Sequence, residues 1–120
     1  MNLLELFDKS KDVVEYPAGT VIFSERQQGN LMYVVLEGEI EIRVNNELLD
    51  LVKPGEVFGE MALVDTKRRS ATAIARQPSR LAALDEEKFL AMVQKEPHFA
   101  IVVMRILARR LRKMNLLFYS

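Results

Sequence analysis

Apolar and polar residues alternate in short runs over the first two thirds of the chain, and turn residues separate the runs. Residues 39–44 alternate most regularly, which predicts a strand with its isoleucines and its valine pointing inward. Asn45 and Asn46 follow, and because asparagine tolerates positive φ they predict a hairpin turn before a return strand over 48–52. Further strands are expected at 13–16, 20–24, 31–36 and 81–84, after a short leading helix over 2–10. Short strands at this spacing are typical of a β-barrel or jelly roll.

The last third of the chain has a helical period. Asp85 is expected to cap a helix that runs to about Lys95, with two glutamates in its first turn. A second helix runs to about Phe118, and its apolar residues recur at alternating intervals of four and three, which predicts a coiled-coil seam. The predicted seam consists of Ala100, Met104, Leu107, Leu111, Met114 and Phe118. Its polar side carries Arg105, Arg109, Arg110, Arg112 and Lys113, which either face water or partly reach a ligand.

Composition limits the classes of protein that the chain can represent. At 120 residues and 49% hydrophobic, it has the size and apolar content of a single domain. It has no apolar run long enough for a membrane helix and no signal-peptide pattern. Without cysteine and with one histidine, it offers neither a metal cluster nor a nucleophile–base pair, so we expect a cytoplasmic protein that is not an enzyme and has no cofactor.

Charge is unevenly distributed along the chain. Residues 1–60 contain 12 acidic and 5 basic residues, a net charge of −7, and residues 61–120 contain 5 acidic and 12 basic residues, a net charge of +7. This asymmetry indicates an anionic partner for the second half, or an acidic barrel face beside a basic helix.

The segment over 54–75 carries the candidate chemistry. Gly59 allows a sharp turn and close approach of a ligand, the helix that follows presents backbone N–H groups, and Arg69 can return to grip a phosphate there. Glu60 would repel a phosphate but can accept hydrogen bonds from sugar hydroxyls, so the segment indicates a nucleotide. If 69–75 is a strand, Arg69 shares a face with three alanines, which leaves room for a ligand. Alternatively, the glycines only make turns and the cations only face water.

These residues resemble a known family. Phe58-Gly59-Glu60-Met61-Ala62-Leu63 followed by Arg69-Ser70-Ala71-Thr72 is similar to the phosphate-binding cassette of cyclic-nucleotide-binding domains. The segments 16–23 and 33–38, with Gly29 between them, resemble the first half of the same jelly roll, in which glycines mark barrel corners. The family often has a glycine and then an acid before Gly29, where this chain has Arg26 and Gln27, so the acidic partner of the phosphate arginine is in doubt.

The resemblance implies a mainly β fold with flanking helices, a double-stranded β-helix (jelly roll) barrel with a short cassette helix and a long C-terminal helix. It implies one domain over 1–120, with the barrel at about 13–84 and the C-terminal helices at about 85–118. It also implies a binding site for a cyclic mononucleotide, cyclic AMP rather than cyclic GMP, with Arg69 on the phosphate and Glu60 on the ribose. The residues it places at the ligand are Phe58, Gly59, Glu60, Met61, Ala62, Arg69, Ser70, Ala71, Met114 and Asn115.

The same resemblance suggests partners. The C-terminal helix is expected to form a homodimer, with an effector protein as a further partner and no membrane contact. Because the chain ends after that helix, no built-in effector domain and no sequence-specific DNA binding are expected. The alternative is a nucleotide-free domain of the same fold that acts as a dimerisation or protein-interaction module.

Overall fold

The computed structural model describes residues 2–7, 11–64 and 68–119. For residues 64 and 116–119 it describes the backbone only. The predicted leading helix therefore lies partly outside the described residues, as does the Phe118 side chain in the predicted seam. The elements are α1 (Leu3–Phe7), β1 (Val13–Tyr16), β2 (Val21–Phe23), β3 (Met32–Glu37), β4 (Ile40–Val44), β5 (Glu47–Val52), β6 (Val57–Phe58), α2 (Met61–Val64), β7 (Thr72–Ala75), β8 (Ser79–Leu84), α3 (Glu86–Lys95) and α4 (His98–Tyr119).

Two antiparallel four-stranded sheets form the body of the fold. Their strand orders are β1-β8-β3-β6 and β2-β7-β4-β5, so strands distant in sequence lie side by side in both sheets. An apolar cluster with members from both sheets fills the space between them, including Phe23, Val35, Ile40 and Leu81. This arrangement is the predicted jelly roll with flanking helices, and the prediction of fold class is confirmed.

A second apolar cluster lies on the outer side of the sheet that contains β3. Met32 and Val34 of β3 contact Phe7 of α1 and the helical residues Phe99 and Val103 there. Because the core covers one face of β3 and the helices cover the other, five of its six residues are buried. This double coverage explains why the strand reads as a continuous apolar run rather than as an alternating one.

The β4–β5 hairpin forms where the sequence predicts it. Asn45 and Asn46 both have positive φ, at 51° and 65°, as the predicted tight turn requires. Ile40 is fully buried between the sheets, whereas Ile42 and Val44 are only half-buried. The difference arises because the outer half of β4 borders a cavity instead of the core.

The two C-terminal helices form as predicted. The predicted seam residues of α4, however, do not all lie on one face of the helix. Asp85 caps α3 by accepting a hydrogen bond from the backbone N–H of Lys88 at 2.8 Å. On α4, Leu107 packs against the barrel-side cluster, while Met104 and Leu111 are 56% and 63% exposed. The exposed apolar residues therefore form a line that shares Met104 and Leu111 with the predicted seam but has Ile101 and Ala108 in place of Ala100 and Leu107. We call this line the outer stripe; it consists of Ile101, Met104, Ala108 and Leu111.

Candidate functional site

A cavity of about 400 Å³ lies between the barrel, the cassette and the C-terminal half of α4. It is lined by Phe23, Ile42, Val44, Leu49, Asp50, Phe58, Gly59, Glu60, Met61, Ala62, Arg68, Arg69, Ser70, Ala71, Arg110, Lys113 and Met114. Nine of the ten residues that the sequence placed at a ligand are in this set. The tenth, Asn115, is exposed on α4 and is not part of the lining, so its contact with a base stays a prediction.

Arg69 is the most deeply buried of the four cations that line this cavity. Its side chain is only 7% exposed, and Nη1 donates a hydrogen bond to the Gly59 carbonyl at 3.1 Å. Nε is buried and has no hydrogen-bond partner within the described part of the chain. Burial lowers the pKa of Arg69, because the interior solvates a cation poorly, and nearby Tyr33 and Glu60 oppose this effect. The guanidinium therefore has hydrogen-bonding capacity that an anion in the cavity can use.

Two glycines make room for this guanidinium. A Cβ atom on Gly29 would lie 2.6 Å from Nε of Arg69, and one on Gly59 would lie 3.0 Å from Nη1. Gly59 also has a φ of 78°, a backbone conformation that residues with a side chain rarely adopt. The family resemblance indicates Gly29 only as a barrel corner, and the structure adds that it provides the space in which the Arg69 side chain lies.

The loop that departs from the family pattern still holds the Arg69 backbone. Arg69 N–H donates to the Gln27 carbonyl and Arg26 N–H donates to the Arg69 carbonyl, both at 2.8 Å. Arg26 has a φ of 69°, a left-handed conformation that favours glycine, so the loop keeps its turn without the glycine. Gln27 supplies no charge, and Arg69 makes no ion pair with any described residue.

Glu60 contacts α4. Its Oε1 accepts a hydrogen bond from Nη1 of Arg110 at 2.9 Å, and Nε of Arg110 lies 3.4 Å from Oδ2 of Asp50. Arg110 also donates to the Val57 carbonyl. Sequence reasoning missed Arg110 and Asp50 as site residues, because five cations share the polar side of α4 and only the tertiary fold shows which of them reaches the barrel.

The backbone donors of the cassette are partly engaged. The helix α2 begins at Met61 and is only four residues long. Ala62 N–H donates to the Gly59 carbonyl at 3.3 Å, which is long for a hydrogen bond of this kind. The expectation that Gly59, Met61 and Ala62 offer backbone donors to a ligand stays a prediction.

The remainder of the cavity wall is mainly apolar. Ile42 and Val44 from β4, Leu49 from β5 and Met114 from α4 line it. Ala71 also lines it, but Ala73 and Ala75 are fully buried in the core between the sheets. The predicted alanine face therefore provides space for a ligand only at its first residue. The cavity can accept a molecule with an anionic group at Arg69 and a flat apolar part near Met114.

The described residues contain no group of three or more histidine, cysteine, aspartate or glutamate residues that could hold a metal ion. Over the same residues, no helix is long and apolar enough to cross a membrane.

Comparison with known proteins identifies related sequences and folds. A model of the cyclic nucleotide-binding domain family matches residues 13–96. The cyclic AMP receptor protein of Thermus thermophilus is 38% identical over 106 residues, covering 84% of this chain and 49% of the relative. The crystal structure of the Thermus thermophilus catabolite activator protein superimposes with a TM-score of 0.75 at 36% identity, covering 88% of this chain and 52% of that one.

A further solved structure aligns over nearly its full length. It is described by the words "A cyclic-GMP-dependent signalling pathway regulates bacterial phytopathogenesis", and it has a TM-score of 0.71 at 29% identity, covering 95% of this chain and 94% of that one. By contrast, the chain spans about half the length of the Thermus thermophilus receptor protein and of a CRP-like cAMP-activated global transcriptional regulator of Mycobacterium tuberculosis, to which it is 27% identical.

Proposed function

Because the chain belongs to the cyclic nucleotide-binding domain family, we propose that it binds a cyclic mononucleotide in the cavity between the cassette and α4. The observation that carries the proposal is the state of Arg69. A nearly buried guanidinium with an unpartnered Nε faces a cavity, and an unpaired buried cation is costly unless a ligand supplies the anion. The cyclic phosphate of such a nucleotide carries one negative charge and acceptor oxygens.

The ribose and the base of the nucleotide each face a different part of the cavity wall in this proposal. The ribose lies beside Glu60, whose second carboxylate oxygen accepts from a sugar hydroxyl while the first stays with Arg110. The base lies against the apolar wall formed by Ile42, Val44, Leu49 and Met114. This placement brings the ligand into contact with α4 through Met114.

We favour cyclic AMP over cyclic GMP as the ligand. The support is the name of the Thermus thermophilus relative, a cyclic AMP receptor protein that is 38% identical over most of this chain. The solved structure associated with a cyclic-GMP-dependent pathway makes cyclic GMP the main competitor. The two nucleotides share phosphate and ribose, so discrimination between them rests on contacts with the base.

The proposed role is that of a regulatory sensor rather than an enzyme. A ligand shifts a helix only when its contacts differ between two placements of that helix. Glu60 contacts α4 through Arg110, and Met114 is itself part of α4, so a bound nucleotide contacts the helix at two points. We further propose that the outer stripe of α4 is the homodimer surface, with an effector protein as the receiver of the signal.

Calorimetric titration with cyclic AMP and cyclic GMP tests the proposed function. Arg69→Ala leaves the ligand phosphate unpaired in a closed site, which costs roughly 2–5 kcal/mol, or about thirty- to several-thousandfold in affinity. Arg76→Ala is the matched control, because Arg76 is an exposed arginine that pairs with Glu39 and does not line the cavity. Failure of the parent chain to bind either nucleotide, or an unchanged affinity in Arg69→Ala, contradicts the proposal. Failure to bind would favour the alternative function, a nucleotide-free interaction module.

A further inference from the structure

The guanidinium of Arg69 lies on the face of an aromatic ring. Its central carbon is 4.0 Å from the ring centroid of Phe23 in β2. Phe23 is itself 7% exposed and is held by two further rings, with centroid distances of 6.2 Å to Tyr33 and 5.9 Å to Phe58. The cation therefore rests on an aromatic cluster whose members fix one another in place.

The Phe23 ring lies beside a guanidinium that has no carboxylate partner among the described residues. Arg69 makes no ion pair with a described residue, and the nearby loop has Gln27 where the family resemblance led us to expect an acid. Tyr33 does not supply a negative charge near neutral pH. A phenol is protonated there, and burial raises the pKa of Tyr33 further, to about 12. The negative face of an aromatic ring attracts a cation within about 6 Å without carrying a net charge.

We propose that Phe23 is a positioning residue for anion binding, whose ring face holds the Arg69 guanidinium in the place of a carboxylate. The inference rests on the proposed function, because it names what orients the cation at that site. A carboxylate partner would neutralise the guanidinium and compete with the ligand phosphate for its N–H groups. The ring fixes the guanidinium and leaves its full charge, and the buried Nε–H, for the ligand.

Three variants test this role by calorimetry with cyclic AMP and cyclic GMP. Phe23→Leu keeps an apolar side chain but removes the ring, and we expect affinity for the bound nucleotide to fall about five- to thirtyfold. Phe23→Tyr keeps the ring face and should retain affinity within about threefold of the parent. Phe89→Leu makes the same replacement on α3, which does not line the cavity, and should leave affinity unchanged.

Nuclear magnetic resonance separates positioning from a general loss of packing and does not need a ligand. In the ligand-free parent chain, the Arg69 Nε–H resonance should be shifted upfield by the Phe23 ring, and Arg69→Lys identifies the resonance by removing it. The upfield shift should persist in Phe89→Leu and Phe23→Tyr and disappear in Phe23→Leu.

An Nε–H resonance that does not respond to Phe23→Leu overturns the inference, as does an affinity within twofold of the parent in that variant. Equal losses of affinity in Phe23→Leu and Phe23→Tyr also overturn it, since they would mean that the position requires a particular volume and not a ring face. If the parent binds no nucleotide but the resonance behaves as expected, the proposed function fails while the placement of Arg69 on Phe23 stands.

Discussion

Arg110 of α4 donates a hydrogen bond from Nη1 to Oε1 of Glu60 at 2.9 Å, across 50 residues of sequence. Both side chains are about four-fifths buried, and Asp50 also lies 3.4 Å from Arg110 Nε. The carboxylate that would accept from the ligand ribose is thus already a partner of the helix. Any change at Glu60 on binding changes a contact of α4, and this is the physical link between ligand and helix that a sensor requires.

The Glu60–Arg110 contact should appear as a coupling energy. A double-mutant cycle of Glu60→Ala and Arg110→Leu, followed by chemical unfolding of the ligand-free chain, should give a coupling of about 1–2 kcal/mol. Arg109→Leu is the control, because Arg109 is exposed on the same helix and should change the free energy of unfolding by less than about 0.5 kcal/mol. A coupling indistinguishable from zero contradicts the contact. Glu60→Gln should also cost less nucleotide affinity than Arg69→Ala, because its amide oxygen still accepts.

Gly29→Ala should separate binding from folding. The added Cβ would lie 2.6 Å from Arg69 Nε, and the side chain that must yield is the end of a flexible arginine, so the free energy of unfolding should fall by less than about 1 kcal/mol. Displacing that guanidinium should weaken nucleotide affinity at least tenfold, as measured by calorimetry.

Gly38→Ala is the opposite case and serves as the comparison. Its φ is 95°, and a Cβ would lie 2.6 Å from the Pro78 carbonyl, so backbone would have to move. We expect a loss of stability on the order of 2–4 kcal/mol. A Gly29→Ala chain that binds as tightly as the parent would contradict the role assigned to Gly29.

The outer stripe predicts the variants that control assembly. Met104→Glu combined with Leu111→Glu places charges on two exposed apolar positions and should convert a dimer to a monomer with little change in the unfolding midpoint. Leu107→Glu should instead destabilise the fold, because Leu107 packs against the barrel-side cluster. Light scattering after size-exclusion chromatography measures the mass. A parent chain that is monomeric with and without cyclic AMP refutes the dimer.

The raised pKa of Tyr33 predicts how the free energy of unfolding changes at alkaline pH. Burial, followed by the influence of Tyr16, raises its pKa from 10.0 to about 12, so the folded chain keeps a proton that the unfolded chain releases. The resulting stabilisation is fully present below pH 10 and is lost as the pH rises to about 12. Tyr33→Phe should remove an alkaline loss on the order of 1–2 kcal/mol. Denaturant unfolding of both chains across this range measures the difference, and parallel pH profiles would contradict it.

Features encoded by neighbouring residues were predictable from the sequence. The Asn45-Asn46 turn, the Asp85 cap and the strand β4 each depend on a few adjacent side chains, and each is present in the structure. The cassette residues were identified together because they form one continuous segment of the resemblance, although their contacts with a ligand remain predictions.

Features that depend on distant residues were not predictable. The position of the Arg69 guanidinium depends on Gly29 and Phe23, which lie 40 and 46 positions earlier in the chain. The predicted seam on α4 matches the exposed line at Met104 and Leu111 but not at Ala100 and Leu107, because a helix with apolar residues on two adjoining faces fits either choice. Only the packing of Phe99 and Leu107 on the barrel decides which face is free.

The pairing of β1 with β8 has a consequence for how the chain reaches its fold. Val13 pairs with Ala82, 69 positions further along, and β3 completes its sheet with the same late strand. Contacts of such long sequence separation slow folding, because a large loop must close before any of them forms. During synthesis, β1 and β3 therefore emerge from the ribosome well before the strand that joins them. Until residue 84 has left the exit tunnel, the edges of β1 and β3 that pair with β8 stay unpaired, and unpaired strand edges expose a nascent chain to aggregation.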